Sequence, residues 1–251
     1  MKDRGNVARV GWVVDVQKDF MEPNGRLYVH NLFDPADPGA KEAAPAIEKA
    51  VRWMRQNCDV LVFTGDWHAY GDREIDPVAP DPAKETYAPH CMGLSPDPAE
   101  REGAALVEWV TGGEPLLVLP RDATPEQAEE IARRAVEERR PVFVQKNEFS
   151  VFKGNTGADA FVRALRERLG DRVEFVVCGV ATDVCVRHAV EGMLDRGLAV
   201  RVIRDATWGL GLLGPEATFD AWARRGAQLT SVAELPEPAV SGSPNRLAGS
   251  A

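Results

Sequence analysis

Apolar residues are distributed along the chain in two alternating rhythms. Short unbroken runs, VARVGWVVDV, VLVFTGD, PLLVLP, PVFVQK, VEFVVCGV and AVRVIRDA, predict strands buried on both faces. Between them, apolar positions recur at helical spacing in PAIEKAVRWMRQN, TPEQAEEIARRAVEERR, GADAFVRALRERLG, TDVCVRHAVEGMLDRG and PEATFDAWARRG. Pro or Thr opens several of these segments and Gly170 closes one, as helix ends require. Strands alternating with helices predict an α/β fold of three layers, a mostly parallel β-sheet with helices on both faces.

With 251 residues the chain can bury a substantial core. The short connections favour a single domain over residues 9–235. Residues 1–8 are expected to form a flexible N-terminus, and the Pro-, Ser- and Gly-rich stretch 236–251 a disordered tail. A formal net charge of -9 argues against nucleic acid or an anionic membrane as partner and leaves a small molecule. No apolar run approaches the roughly 18 residues of a membrane span, and the charged opening stretch runs into a strand without a cleavage-site pattern. A cytoplasmic location is expected. The four cysteines have neither disulfide-framework nor CxxC spacing, which suits free thiols in a reducing compartment.

In a parallel sheet the ligand sits beyond the carboxyl ends of the strands, so the residues where strands stop carry the chemistry. Those ends are Asp15, Asp66 and Lys146, and the VEFVVCGV strand leads to Cys185. A cysteine in the first turn of a helix faces unpaired N–H groups and the positive end of the helix dipole, both of which favour the thiolate. Thr182 is placed to cap that helix, and Gly179, Val180 and Ala181 to turn tightly enough that N–H groups converge on an oxyanion. Asp15 is positioned to take the thiol proton, with Lys146 holding its carboxylate.

A second cluster lies in GDWHAYGDREI and YAPHCMG: Asp66, His68 and His90. Two of the four histidines of the chain fall here. Imidazole and carboxylate donors of this kind suit zinc, manganese or iron with coordination positions left open. Cys91 adjoins His90, but adjacent side chains point apart.

Together, DVQKDF, GDWH, PHC, a strand-end lysine and GVATDVCV resemble the nicotinamidase and pyrazinamidase branch of the isochorismatase-like cysteine hydrolases, over Arg9 to Leu235. The resemblance implies a fold of that type and catalytic roles for Asp15 (general base and acid), Lys146 and Cys185 (nucleophile). It further implies a non-proline cis bond at Val180–Ala181 and an oxyanion hole from the N–H groups of Ala181 and Cys185. Metal ligation is implied for Asp66, His68 and His90, the metal binding the pyridine nitrogen of nicotinamide, with zinc the first choice over manganese or iron. Phe20, Tyr87 and Val180 would contact the substrate, Phe20 and Tyr87 sandwiching its ring. The loop after GDWH offers Glu74 as a fourth ligand, ahead of Asp72 or Asp76. Lys153 rivals Lys146, which the following FSVF favours. Residues from about 96 to 140 exceed the family's usual length and read as an insertion, with a lid or an oligomer contact as alternatives.

The implied activity is hydrolysis of nicotinamide, and by extension pyrazinamide, to the acid and ammonia, in NAD salvage and without an organic cofactor. Another cysteine amidohydrolase, acting on a carbamoyl or maleamate-type amide, and a non-catalytic binding protein on the same fold are the alternatives. A homo-oligomer is left open.

Overall fold

The computed structural model describes residues 7–170 and 172–236. The expected flexible N-terminus and disordered tail therefore fall almost wholly outside the described residues. In chain order the elements are β1 (Ala8–Val14), α1 (Lys18–Met21), α2 (Ala44–Asn57), β2 (Val60–Asp66), α3 (Pro98–Glu102), α4 (Glu108–Thr111), β3 (Leu117–Leu119) and α5 (Pro125–Glu138). They continue as β4 (Val142–Lys146), α6 (Val151–Gly154), α7 (Ala158–Leu169), β5 (Val173–Val180), α8 (Cys185–Asp195), β6 (Ala199–Trp208), α9 (Pro215–Arg224) and β7 (Gln228–Thr230).

The strands form one sheet of seven in the order β3-β4-β2-β1-β5-β6-β7, every neighbouring pair parallel. From β1 the chain first builds toward the β3 edge, then returns to place β5 on the other side of β1. The strand order thus reverses at β1, and the carboxyl ends there open the crevice where ligands bind in such sheets. Register carries two pairs of residues to that rim: Asp66 opposite Lys146, and Val14 opposite Gly179.

Right-handed crossovers put α2 on one face, because β1 to β2 runs toward the β3 edge, and α5, α7, α8 and α9 on the other, because their crossovers run the opposite way. The packing agrees: α2 meets α4, whereas α5 packs on α7, and α8 on α6 and α9. Trp12, Phe63, Phe161, Phe175 and Trp222 are fully buried between these layers, each contributing about 1.5–3 kcal/mol of transfer free energy.

Residues 96–140 are built into this architecture. They supply the edge strand β3 and the helix α5, which Thr124 and Gln127 open with a reciprocal capping box and which packs on α7 and β3. One strand reading is extended and one strand is added. β6 continues to Trp208, because Thr207 and Trp208 pair with Gly179 and Val180 beyond a register shift in β5, and the three-residue β7 is too short to carry a period of its own. Among the described residues no helix is long and apolar enough to cross a membrane.

Candidate active site

Asp15 follows β1 with φ 52°, a left-handed conformation that aspartate tolerates better than most residues. Its Oδ1 accepts a hydrogen bond from Thr64 Oγ1 at 2.6 Å, and its Oδ2 lies 2.9 Å from Lys146 Nζ. The same ammonium forms an ion pair with Asp66 Oδ1 and stands 3.7 Å from Cys185 Sγ. A carboxylate oxygen of Asp15, one of Asp66 and the Cys185 sulfur all lie within 4.8 Å of one another. None of the four side chains is more than 6% exposed, so water does little to screen these charges.

Cys185 reaches this position because β5 presses closely on β1. Gly179 has φ 123°, and a Cβ there would sit 2.1 Å from the Val14 carbonyl oxygen, so only glycine fits. The next bond, Val180–Ala181, is cis. Helix α8 then starts at Cys185, leaving the first N–H groups of the helix without intrahelical acceptors. Thr182 does not cap it, contrary to the sequence reading. The capping position is Val184, since the chain stays non-helical through 184, and Thr182 is tied instead through its N–H to the Trp208 carbonyl at 2.8 Å. Asp183 accepts from the N–H groups of Leu210, Leu212 and Leu213 and so pins the loop after β6.

Burial pushes the Cys185 thiol well up, with Lys146 pulling the other way. Burial and the Asp66 charge likewise raise Asp15 against the opposing pull of Lys146 and Thr64. For Asp66 the balance reverses: burial works to raise it, but Lys146 and the two imidazoles hold it below the usual carboxylate range.

Asp66, His68 and His90 each point one ligand atom to a common spot, all three atoms within 4.8 Å of one another. Asp66 Oδ2 is 3.8 Å from His68 Nε2 and 3.9 Å from His90 Nε2, and Glu74 Oε2 is 4.0 Å from His68 Nε2. His90 Nδ1 lies 2.7 Å from the Ala88 carbonyl and His68 Nδ1 3.3 Å from Asp72 Oδ2. A carbonyl and a carboxylate only accept, so both Nδ1 atoms carry the proton toward them and both Nε2 atoms face the centre. His68 Nε2 and Glu74 Oε2 are buried without a hydrogen-bond partner. Two orphaned buried atoms in a set of two imidazoles and two carboxylates fit a divalent cation such as zinc, manganese or iron. Asp72 instead backs His68, and Asp76 is taken up by the N–H groups of Val78 and Ala79. Cys91 Sγ faces the Gly103 carbonyl.

Next to both clusters is a small cavity, lined by Phe20, Tyr87, Phe149, Val180, Leu210 and Cys185, with Asp66 and His90 also on its wall. The Isochorismatase domain family matches residues 12–234. The chain belongs to the isochorismatase family. No curated protein sequence matches it.

Within that family fold, solved structures align over nearly the whole chain. A nicotinamidase/pyrazinamidase PncA from Bacillus subtilis has a TM-score of 0.60 at 20% identity, covering 89% of this chain and 100% of its own. The pyrazinamidase of Pyrococcus horikoshii in complex with zinc has 0.58 at 22%, covering 89% and 98%. N-carbamoylsarcosine amidase from Thermoplasma acidophilum has 0.58 at 20%, covering 91% and 98%. At these identities the likeness is one of fold.

Other residues of the site escaped the sequence reading. Gln17, fully buried, donates from Nε2 to the carbonyls of Asp66 (2.8 Å) and Ala104 (2.7 Å) and accepts the Asp66 N–H at 2.7 Å, clamping that residue's backbone. Phe149 stacks edge-on to Tyr87 at 5.9 Å, and its N–H donates to Glu74 Oε1 at 2.7 Å, tying the aromatic wall to the cation cluster. Its place in FSVF was visible, but its direction was not. Lys153 is exposed on α6, whereas Lys146 is buried among the carboxylates.

Proposed function

We propose that the protein is a metal-dependent cysteine amidohydrolase that converts nicotinamide to nicotinate and ammonia, and cleaves pyrazinamide in the same way. One observation carries this reading: the Asp15–Lys146–Cys185 cluster and the Asp66–His68–His90 set are joined by the Lys146–Asp66 ion pair and open on the same small aromatic-walled cavity. A planar ring with a carboxamide and, meta to it, a lone-pair ring nitrogen fits those three features together.

Asp15 takes the proton from Cys185, and the sulfur attacks the carboxamide carbon. A carboxyl raised by burial is a better proton acceptor than an ordinary carboxylate. Lys146 stays charged between the two and stabilises the thiolate as it forms. The N–H groups of Ala181 and Cys185 bind the oxyanion. Asp15 returns its proton to the departing nitrogen, ammonia leaves, and a thioester remains on Cys185. Water then adds to the thioester carbonyl with Asp15 again as base, releasing the acid and restoring the thiol. Phe20, Tyr87 and Phe149 hold the ring, and their apolar surface limits water access. Asp66, His68 and His90, with Glu74 as a fourth donor, would hold a divalent cation, which would supply Lewis-acid chemistry toward the ring nitrogen.

The N-carbamoylsarcosine amidase fold likeness supports a second reading, a carbamoyl amide as substrate. Ammonia release across nicotinamide, pyrazinamide, benzamide and a carbamoyl amino acid separates the two. Turnover of the two ring-nitrogen amides above benzamide supports the proposal; turnover confined to the carbamoyl compound overturns it.

A further inference from the structure

Residues 96–140 enter the chemistry at a point that the reaction above does not use. Arg121 stands two residues past the end of β3, so the edge strand delivers it to the same rim as Asp15, Asp66 and Lys146. Its backbone is fixed there, the carbonyl accepting the Thr156 N–H at 2.9 Å, while Asn155 Nδ2 donates to the preceding Pro120 carbonyl at 3.0 Å.

From this anchored position Arg121 Nη1 donates to two acceptors in the loop that carries His68: the Trp67 carbonyl at 3.0 Å and Asp72 Oδ2 at 2.5 Å. Asp72 Oδ2 also accepts the Ala69 N–H at 2.8 Å and faces His68 Nδ1 at 3.3 Å, and Asn147 Nδ2 lies 3.4 Å from Asp72 Oδ1. Asp72 is therefore held by groups from three separate parts of the chain, and the ring of His68 takes its orientation from it. Arg121 is the charged member of that set, and only 22% of its side chain is exposed.

We propose that Arg121 is a positioning residue for the cation site, orienting His68 through Asp72. The proposal rests on the metal reading above. It assigns residues 96–140 a part in that reading, because the stretch that builds the sheet edge also stiffens the ligand loop. Groups of this kind behind a ligating imidazole typically change metal affinity by about 10- to 100-fold. A lysine at 121 would keep the charge but lose the planar group that reaches both acceptors.

The test uses the full chain, stripped of metal and titrated with zinc against a chromophoric chelator. The wild type is compared with Arg121→Gln, Arg121→Lys, Asp72→Asn and the Arg121→Gln/Asp72→Asn pair, and melting is followed with and without zinc. The expected result is a loss of zinc affinity of about 10- to 100-fold in Arg121→Gln, a smaller loss in Arg121→Lys, and no further loss when Arg121→Gln is added to Asp72→Asn. Metal-free melting should stay at the wild-type temperature while the zinc-induced rise shrinks. Wild-type affinity in Arg121→Gln, full additivity with Asp72→Asn, or a fall in metal-free melting that accounts for the lost affinity would each overturn the proposal. A wild-type protein that takes up no zinc, manganese or iron overturns the metal reading itself, and that result appears before any variant is compared.

Discussion

Asp66 and Lys146 are register partners at the carboxyl ends of neighbouring parallel strands, and their buried side chains form an ion pair. The second oxygen of Asp66 faces His68 and His90, while Lys146 also reaches Asp15 and Cys185. A single carboxylate thereby joins the Asp66–His68–His90 set, through Lys146, to Cys185, and the two behave as one electrostatic unit.

Substituting Asp66→Asn should therefore damage both halves. Zinc affinity is expected to fall by more than the roughly 10- to 100-fold of a supporting residue, and amidase activity should not return when zinc is supplied in excess. Full activity at saturating zinc would show that Asp66 serves the cation alone.

Lys146→Met leaves two buried carboxylates without their cation. Breaking a buried pair in this way costs about 3–5 kcal/mol, which urea unfolding at pH 7 would read as a lowered midpoint. The sign of the pH dependence follows from the same groups. Without Lys146, Asp15, which burial already raises, loses its main opposing charge and rises further above its unfolded value of about 3.9. A group raised in this way disfavours folding above its unfolded pKa and has no effect below it. The deficit should shrink as pH falls toward about 4, and a deficit independent of pH would contradict the charge account.

Metal uptake should release protons. In the metal-free protein, burial lowers His68 but Asp66 and Asp72 outweigh it and bring it up to about 9, while burial and Asp66 raise Glu74 to about 8. Both are protonated at pH 7, whereas burial and the neighbouring His68 charge bring His90 down to about 4 and leave it neutral. A cation must displace the protons of His68 and Glu74, so zinc affinity should rise with pH from 6 and level off above about 9. Calorimetry at pH 7 in buffers of different ionisation heat reads the proton count; no proton release would remove His68 and Glu74 from the ligand set.

Gly179→Ala puts a methyl group 2.1 Å from the Val14 carbonyl oxygen at a φ of 123°. The backbone must shift, and Cys185 shifts with it relative to Asp15. Destabilisation beyond about 1 kcal/mol is expected, together with lost turnover, and near-wild-type kinetics would refute the tight β1–β5 approach as the determinant of thiol placement.

Much of this arrangement could be read from the chain because its chemistry sits at strand ends. Asp15, Asp66 and Lys146 terminate apolar runs whose period is unmistakable, and a parallel sheet carries such ends to one rim. Cys185 opens the helix that its hydrophobic spacing predicts. What the period could not reveal depends on contacts between distant segments. Gln17 looks like any polar residue after a strand, yet it pairs with the Asp66 backbone. Arg121 follows a three-residue edge strand and finds its partner 49 positions away. Thr182 was misread as a cap because capping is inferred from residue type, whereas the helix start was set by the non-helical path through Val184. The four-residue helices α1, α4 and α6 are shorter than the window in which helical spacing can be recognised.

The most direct test of the account is ammonia release from nicotinamide by the purified protein, with metal content determined on the same sample and Cys185→Ala as the control. The account predicts turnover with about one divalent metal per chain, and a fall in kcat of at least about 100-fold in the variant. Turnover that survives in Cys185→Ala, or a metal-loaded wild type that leaves nicotinamide intact, would contradict it.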